Sequence, residues 1–342
     1  MRVSRSIVAV VAIAATLGAA GAALAVGPWP GLATSVQAPS GDVRYAARSG
    51  GNTVIRKISA AGQLLASKRI AGAYGIPAVT SNGLAGGLSP DGRLLVLAEP
   101  PTYNGLRQQS RFVVLSTGTL AKVATVTLPG EFGFDAISPD RRTLYVIQHA
   151  TQSDLVRYVV RAYDLAQRRL LPRAIVDKRE PDERMRGYPI ARATSPGGAW
   201  VYTLYMKVPG SAVTFVHALN AAGRSAFCID LPAWTGGEDI WDARLELAGG
   251  TLVVQHGSGS VFARIDTRTL RVNCLKFSPS RVVFVVLPES PNLARADGTA
   301  AVTPYSSRYP GLASTSQLLG TMAGWRPSRC TSREDVSSSG TT

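Results

Sequence analysis

The chain has 342 residues, of which 37 are lysine or arginine and 22 are aspartate or glutamate, so its formal net charge is +15 at pH 7. This length allows one large core or two small domains. Only three cysteines are present, which excludes a scaffold built from disulfides, and 34 glycines with 21 prolines indicate many turns.

The positive charge suggests acidic partners, such as anionic lipid, a cell-wall polymer or nucleic acid. The basic residues are scattered and never form a run of five or more. This distribution favours a solvated basic surface, with contact to an anionic surface as the alternative.

The first 25 residues have the layout of a secretory signal peptide. Arg2 and Arg5 precede an apolar run from Ile7 to Leu24, and Ala23-Leu24-Ala25 offers a cleavage site before Val26. An uncleaved membrane anchor is the alternative, because the run is close to the ~20 residues that a spanning helix needs. Either way, the sequence predicts a secreted or cell-envelope protein, and export argues against a nucleic-acid partner.

A turn-and-strand motif then recurs three times along the chain. The copies are "LSPDGRLLVL" (Leu88 to Leu97), "ISPDRRTLYVI" (Ile137 to Ile147) and "TSPGGAWVYTL" (Thr194 to Leu204), the last with Gly197 in place of the aspartate. Ser-Pro-Asp-Gly is a turn sequence, because proline fixes φ, aspartate hydrogen-bonds its own backbone and glycine accepts positive φ. The apolar run after each turn predicts a strand that is buried on both faces.

Each motif lies in a unit of about 40–50 residues that predicts four antiparallel strands, as in a propeller blade. "SPDGRLLVL" and "SPDRRTLYV" resemble the blade motif of the YVTN and TolB-like (SPDG-repeat) family of bacterial β-propellers. The resemblance covers roughly residues 40 to 280, and it implies blades around a central channel with ligands bound on one rim. We therefore expect an all-β fold, with residues 40–305 forming a single propeller of five four-stranded blades, or alternatively six.

Four blades are predicted at residues 75–128, 131–176, 188–231 and 238–278. An irregular first blade, Val43 to Ile70, shows only three strands. The apolar run Arg281 to Glu289 could supply its missing strand and close the ring, or else Phe284 to Thr303 begins a sixth blade. Residues 306–342 are expected to be a mostly disordered tail.

Signatures of catalysis are missing from the sequence, which contains no HExxH, GxxxxGK, GxSxG or CxxC pattern. "HGSGS" (His256 to Ser260) lies where a loop between strands is expected, so it indicates a flexible turn. His217 lies in the middle of the strand "FVHAL" and is expected to be a packed core residue. No catalytic residue, metal or cofactor is predicted.

Alignment of the units places polar or aromatic residues at one level, where each second strand meets a loop. They are Glu99, Gln148 with its neighbour His149, Tyr205 and His256. First strands, which line the channel of a propeller, add the charged residues Asp135, Arg192, Asp242 and Arg244. One interpretation is a ligand pocket at the channel mouth. The other is that Asp135 and Arg192 pair with each other between blades.

A charged link, "VDKREPDERMRGYP" (Val176 to Pro189), crosses the same rim. Loops on a rigid scaffold often carry function, although an ordinary solvated loop has the same composition. The candidate binding residues in this link are Asp177, Glu180, Asp182, Glu183 and Arg186.

The sequence favours a non-catalytic binding or scaffold module, a monomer whose ligand is a polar small molecule or a peptide or protein segment. The alternative is a lactonase-like hydrolase that uses rim carboxylates and His256. Cys228 and Cys274 fall in neighbouring blades, at a Cα separation expected to exceed the ~7 Å limit for a disulfide, whereas the tail could bring Cys330 to Cys274.

Overall fold

The computed structural model describes residues 30–102, 106–149, 157–181, 184–208, 212–234 and 239–273. Strands dominate these ranges, and the two short 3-10 helices are Pro196–Gly198 and Ile240–Asp242. No helix in the described ranges is both long enough and apolar enough to span a bilayer. The predicted signal peptide, the tail, the run Arg281 to Glu289, and both Cys274 and Cys330 lie outside the described residues.

The chain folds into successive antiparallel sheets, each built in up-and-down order. A short strand β1 (Leu32–Ala33) precedes sheet 1, which contains β2 (Ser35–Gln37), β3 (Val43–Arg48), β4 (Asn52–Ser59) and β5 (Leu64–Ala71). Strand β6 (Ile76–Pro77) then pairs back with β1. Sheet 2 contains β7 (Leu94–Ala98), β8 (Gln109–Ser116) and β9 (Lys122–Pro129). Its inner position is held by an irregular segment that bridges β7 at Leu88 and Leu95.

The next three sheets repeat the pattern more regularly. Sheet 3 contains β10 (Glu131–Ile137), β11 (Thr143–His149), β12 (Arg157–Asp164) and β13 (Arg169–Ile175), with β14 (Met185–Arg186) added beside β12. Sheet 4 contains β15 (Tyr188–Thr194), β16 (Trp200–Met206), β17 (Thr214–Asn220) and β18 (Ser225–Asp230). Sheet 5 contains β19 (Arg244–Ala248), β20 (Thr251–Gln255), β21 (Val261–Asp266) and β22 (Val272–Asn273).

The core lies between neighbouring sheets. Separate clusters of buried apolar side chains join sheets 1 and 2, sheets 2 and 3, sheets 3 and 4, and sheets 4 and 5. Second strands are buried on both faces, as Leu95, Val96 and Leu97 show with no exposed surface. Face-to-face packing of four-stranded meanders is the construction of a β-propeller, so the all-β, propeller-type fold expected from the sequence is confirmed.

The serine of the repeated motif explains why the turns recur. Ser89 Oγ accepts a hydrogen bond from the N–H of Leu94 at 2.9 Å, and Ser138 and Ser195 accept the equivalent bond in their own turns. Each serine thus caps the start of the second strand. The fourth motif residue needs positive φ, which is 69° at Gly92 and 62° at Arg141. Arginine therefore adopts the left-handed conformation that glycine would favour.

The structure corrects the expected first blade. Its three predicted strands are present, but β2 pairs with β3 from Ser35 to Gln37 and fills the inner position. The expectation of only three strands in this sheet was therefore wrong, whereas closure of the ring by Arg281 to Glu289 concerns residues outside the described ranges and stays a prediction. A strand of three residues is too short to show the alternation by which strands are recognised in a sequence.

Candidate functional site

The sheets create two faces with different chemistry. We call the face that carries the Ser-Pro turns the turn face. The opposite face, where second strands end and the links between sheets cross, is the loop face. Cavities of about 460 Å³ at the centre of the turn face, about 50 Å³ at the channel mouth of the loop face, and about 430 Å³ between sheets 3 and 4 offer space for ligands.

Asp135 and Arg192 meet at the centre, beside the turn-face cavity. Arg192 Nη2 forms an ion pair with the Asp135 carboxylate, Nη1 donates to the Asp135 carbonyl at 2.7 Å, and Nε donates to Thr203 Oγ1 at 3.1 Å. The two side chains are 3% and 9% exposed. The expected pairing between blades is therefore confirmed. Because the Arg192 donors already bond Asp135 and Thr203, they are not available to a ligand.

The channel mouth on the loop face collects three of the predicted residues. Glu99, His149 and Tyr205 all line the small cavity, together with Arg107 and Glu131. Arg107 lies 3.4 Å from the Glu99 carboxylate and 3.6 Å from that of Glu131. Burial raises the pKa of Glu131, although hydrogen bonding and the charge of Arg107 oppose this effect. At about 50 Å³ the cavity is too small for a drug-sized ligand.

The remaining members of the predicted ring do not join this mouth. Gln148 Oε1 accepts a hydrogen bond from Arg161 at 2.7 Å within sheet 3. The His256 ring is buried against Trp234 at 4.4 Å and Phe262 at 5.4 Å between centroids. The predicted ring therefore converges only in part: Glu99, His149 and Tyr205 meet at the channel mouth, whereas Gln148 and His256 do not reach it.

The charges predicted on the last blade also stand apart. Asp242 ends a 3-10 helix, Arg244 begins β19, and both residues are exposed. Neither lines any of the three cavities. Sheet 5 therefore contributes nothing to the channel-mouth pocket that the sequence predicted.

The charged link is held in place by one carboxylate. Asp177 is 7% exposed and accepts hydrogen bonds from the Cys228 N–H at 2.8 Å and from Arg179 Nη2 at 2.6 Å. Burial would raise the pKa of Asp177, but these bonds outweigh it and lower the pKa to about 2. Arg179 also donates to the Cys228 carbonyl at 2.7 Å and lies over the Phe227 ring. Asp177 therefore anchors the link to sheet 4 and is committed to that role.

Beyond this anchor, the link covers the cleft between sheets 3 and 4. Glu180 and Arg186 line the cleft, as predicted for a binding loop, whereas Asp182 and Glu183 lie outside the described residues. Strand β14 pairs with the start of β12 through Met185 and Arg186, which fixes the link over the opening. Four cationic side chains and two acidic ones line the cleft apart from the Asp177–Arg179 pair: Arg157, Arg184, Arg186, Lys207, Glu180 and Asp230.

The inner wall of the cleft is aromatic and also presents the polar ring of His217. Tyr158, Tyr205 and Phe215 form a buried cluster with Ile147. The Tyr158 hydroxyl is buried beside the Tyr205 side chain. His217 is 3% exposed, and no hydrogen bond joins its ring nitrogens to any residue in the described ranges. Burial lowers the pKa of His217 to about 4, so the ring is neutral at pH 7.

Sequence reasoning missed most of this cleft. His217 was expected to be a packed core residue, and it is buried, yet it also lines the cleft. Arg157, Arg184 and Lys207 fell between the aligned motifs and gave no repeating signal. Their position at the ends of β12, β14 and β16 on the loop face could have identified them. Within the described ranges, no group of three or more His, Cys, Asp or Glu side chains is arranged to hold a metal ion.

No protein-family model matches the chain, and no curated protein matches it either. Similar solved structures include the hydrazine synthase of Kuenenia stuttgartiensis, at 16% identity over 70% of this chain and 77% of that chain, with a TM-score of 0.35. The Cps50 (Swd1) β-propeller domain of Myceliophteria thermophila has 10% identity over 71% and 70% of the two chains, with a TM-score of 0.42. The Dos1 propeller has 8% identity over 68% and 57%, with a TM-score of 0.39. Likenesses of this degree concern the fold alone, and the propeller-type assignment rests on the strand order and packing described above.

Proposed function

We propose that the protein is an exported, non-catalytic binding module that holds a small ligand in the cleft between sheets 3 and 4. The observation that carries this proposal is His217, a 3% exposed side chain that lines a cleft of about 430 Å³ and makes no hydrogen bond to the described residues. Because His217 lines an open cleft, water can solvate its ring nitrogens in the free protein, and a ligand that displaces this water must offer hydrogen bonds in its place. A polar ligand group that bonds the His217 ring would meet this requirement.

The chemistry of the lining defines the class of ligand. Arg184 and Lys207 are exposed and supply positive charge at the opening, while the inner wall is aromatic. A neutral imidazole can accept one hydrogen bond and donate another. We therefore expect a molecule with a carboxylate or phosphate group on an apolar body, or the acidic end of a peptide.

We retain membership of the YVTN and TolB-like family, five blades and export as parts of the proposal. Five sheets of three or more strands are described, and residues up to 278 would complete the short strand β22. The repeated Ser-Pro turns and the caps made by their serines support the family assignment. Closure of the ring by residues after 278, and a sixth blade formed by them, stay predictions.

The hydrolase alternative receives less support from the geometry. His256 packs between Trp234 and Phe262 in the region of sheet 5, and Asp135 is engaged by Arg192 in the channel. A screen with lactones, esters and glycosides would still test it. Turnover that His256→Ala abolishes would favour the enzyme.

Thermal unfolding tests the binding proposal directly. The protein is screened with aromatic and aliphatic carboxylates, sugar phosphates and acidic tripeptides, and a compound at 100 times its Kd stabilises the fold by about 2.7 kcal/mol. We expect this stabilisation to be lost in His217→Phe and in the pair Arg184→Gln, Lys207→Gln. The matched control is the pair Arg142→Gln, Arg173→Gln, which removes the same charge at exposed positions outside the cleft. Equal loss in both pairs would contradict the proposed site.

A further inference from the structure

The outer face of sheet 1 is rich in arginine. Side chains alternate across a strand, and Tyr45 and Ile55 point to the buried face, where they join the core shared with sheet 2. The residues of opposite parity therefore point away from that core. Four of these are exposed arginines: Arg44, Arg48, Arg56 and Arg69.

The strand register brings these arginines together. Val54 on β4 lies opposite Arg48 on β3 and opposite Arg69 on β5, and Arg56 is two residues further along the same strand. Arg44 lies opposite Ile58 further along β4, and neighbouring strands are about 4.8 Å apart, so the four arginines extend from one face of three adjacent strands. None of them forms an ion pair with a carboxylate in the described ranges. Asp42 is the only acidic residue between residues 35 and 71.

The rest of the chain is poorly suited to cover this face. Residues 274–342 contain seven basic residues and only four acidic ones. A second copy also brings an excess of positive charge, since the whole chain has 37 basic and 22 acidic residues. Charge complementarity therefore indicates a foreign partner with dense negative charge.

Two exposed leucines beside the arginines narrow the chemistry of that partner. Leu64 and Leu65 begin β5 and are 60% and 51% exposed, and Leu64 lies opposite Ile58 on the arginine face. A soluble polyanion could bind through the arginines alone, without the exposed leucines. A lipid bilayer takes up apolar side chains at its interface and attracts basic residues through its anionic headgroups.

We propose that the outer face of sheet 1 docks the protein on the surface of an anionic phospholipid bilayer. This surface is separate from the ligand cleft, which lies between sheets 3 and 4, and does not depend on it. The interaction is peripheral, with Leu64 and Leu65 entering the interface and the arginines contacting headgroup phosphates.

Sedimentation with vesicles of phosphatidylglycerol and phosphatidylcholine tests the proposal, with purely phosphatidylcholine vesicles as the reference. The chain is used without residues 1–25, so that their apolar run cannot hold it on the vesicles. Each arginine near an anionic surface contributes about fivefold in partitioning, so replacing all four by glutamine should lower binding on the order of a thousandfold. The control replaces four exposed arginines on sheets 3 to 5, Arg142, Arg173, Arg224 and Arg271, and should lose less than about tenfold.

A second variant separates a bilayer from a soluble polyanion. Leu64→Ser with Leu65→Ser should weaken binding to the anionic vesicles and leave binding to soluble polyphosphate unchanged. Circular dichroism confirms that each variant remains folded. The proposal fails if the two arginine sets lose binding equally, if the leucine variant binds the vesicles like the parent chain, or if the parent chain does not sediment with the anionic vesicles.

Discussion

Replacing Arg192 by methionine should strongly destabilise the fold. The change leaves the Asp135 carboxylate, 3% exposed, without its cation, and removes the donors to the Asp135 carbonyl and to Thr203 Oγ1. At a separation of about 3 Å and an effective dielectric constant of 20, the lost attraction is about 5 kcal/mol. Removing one partner of a buried pair typically costs about 3–5 kcal/mol. We expect a loss of unfolding free energy in that range.

Two further variants isolate the pair. The double variant Asp135→Leu, Arg192→Met removes both charges and should recover most of the stability, because replacing a buried pair by apolar groups is often neutral. Arg192→Lys keeps the charge but cannot reproduce the three directed contacts, so an intermediate loss of about 1–2 kcal/mol is expected.

Urea unfolding followed by tryptophan fluorescence measures these differences, with an unchanged m-value as the sign that the unfolded state is comparable. With Asp135→Leu measured alone as well, the parent chain, the two single variants and the double variant form a double-mutant cycle, and we expect a coupling energy of about 3 kcal/mol. A cost below about 1 kcal/mol for Arg192→Met would show that the pair is solvated. Additive single costs would refute the coupling between sheets 3 and 4.

Three other predictions concern the turns and the cleft. Gly198→Ala should lower the free energy of unfolding, measured by chemical denaturation, by at least about 2 kcal/mol, because the new Cβ would overlap Pro90 in the turn before β7. Gly197 has a similar positive φ but open space around it, so Gly197→Ala should cost about 1 kcal/mol. Equal costs would mean that these turns do not touch. Asp177→Asn should lower the free energy of unfolding by about 1–2 kcal/mol near pH 7. Because the pKa of the Asp177 carboxyl is lowered to about 2, its contribution to stability is present above pH 4 and is lost as the pH falls through 2. Acid titration of the parent chain and of the variant will show this loss. Burial lowers the pKa of His217 from 6.5 to about 4, so stability should fall by about 2–4 kcal/mol as the pH drops from 6.5 to 4, and His217→Gln should flatten this part of the unfolding profile. An unchanged slope in that variant would contradict the burial of a neutral imidazole.

The strand pattern and one buried ion pair could be predicted from the sequence alone, because both depend on local physical chemistry. The Ser-Pro turns and the apolar runs after them specify a strand start and a doubly buried strand, and sheets 2 to 4 follow these patterns. The pairing of Asp135 with Arg192 was also foreseen, because first strands line the centre and opposite charges there need each other. The first inference uses information contained within a single repeat, and the second needs only the equivalent position in two neighbouring repeats.

The candidate site required tertiary structure. The sequence placed Gln148 and His256 correctly at the ends of their strands, but it did not predict what their side chains contact. Gln148 bonds within its own sheet and His256 packs against Trp234, because neighbouring residues determine the contacts of a side chain. The cleft combines Arg157 from sheet 3 with Lys207 and His217 from sheet 4, which are far apart in the sequence and share no motif. The packing of sheets 3 and 4 and the anchoring of the link through Asp177 create that space. A cavity forms where surfaces meet in three dimensions, so no repeating pattern in the sequence of either strand predicts it.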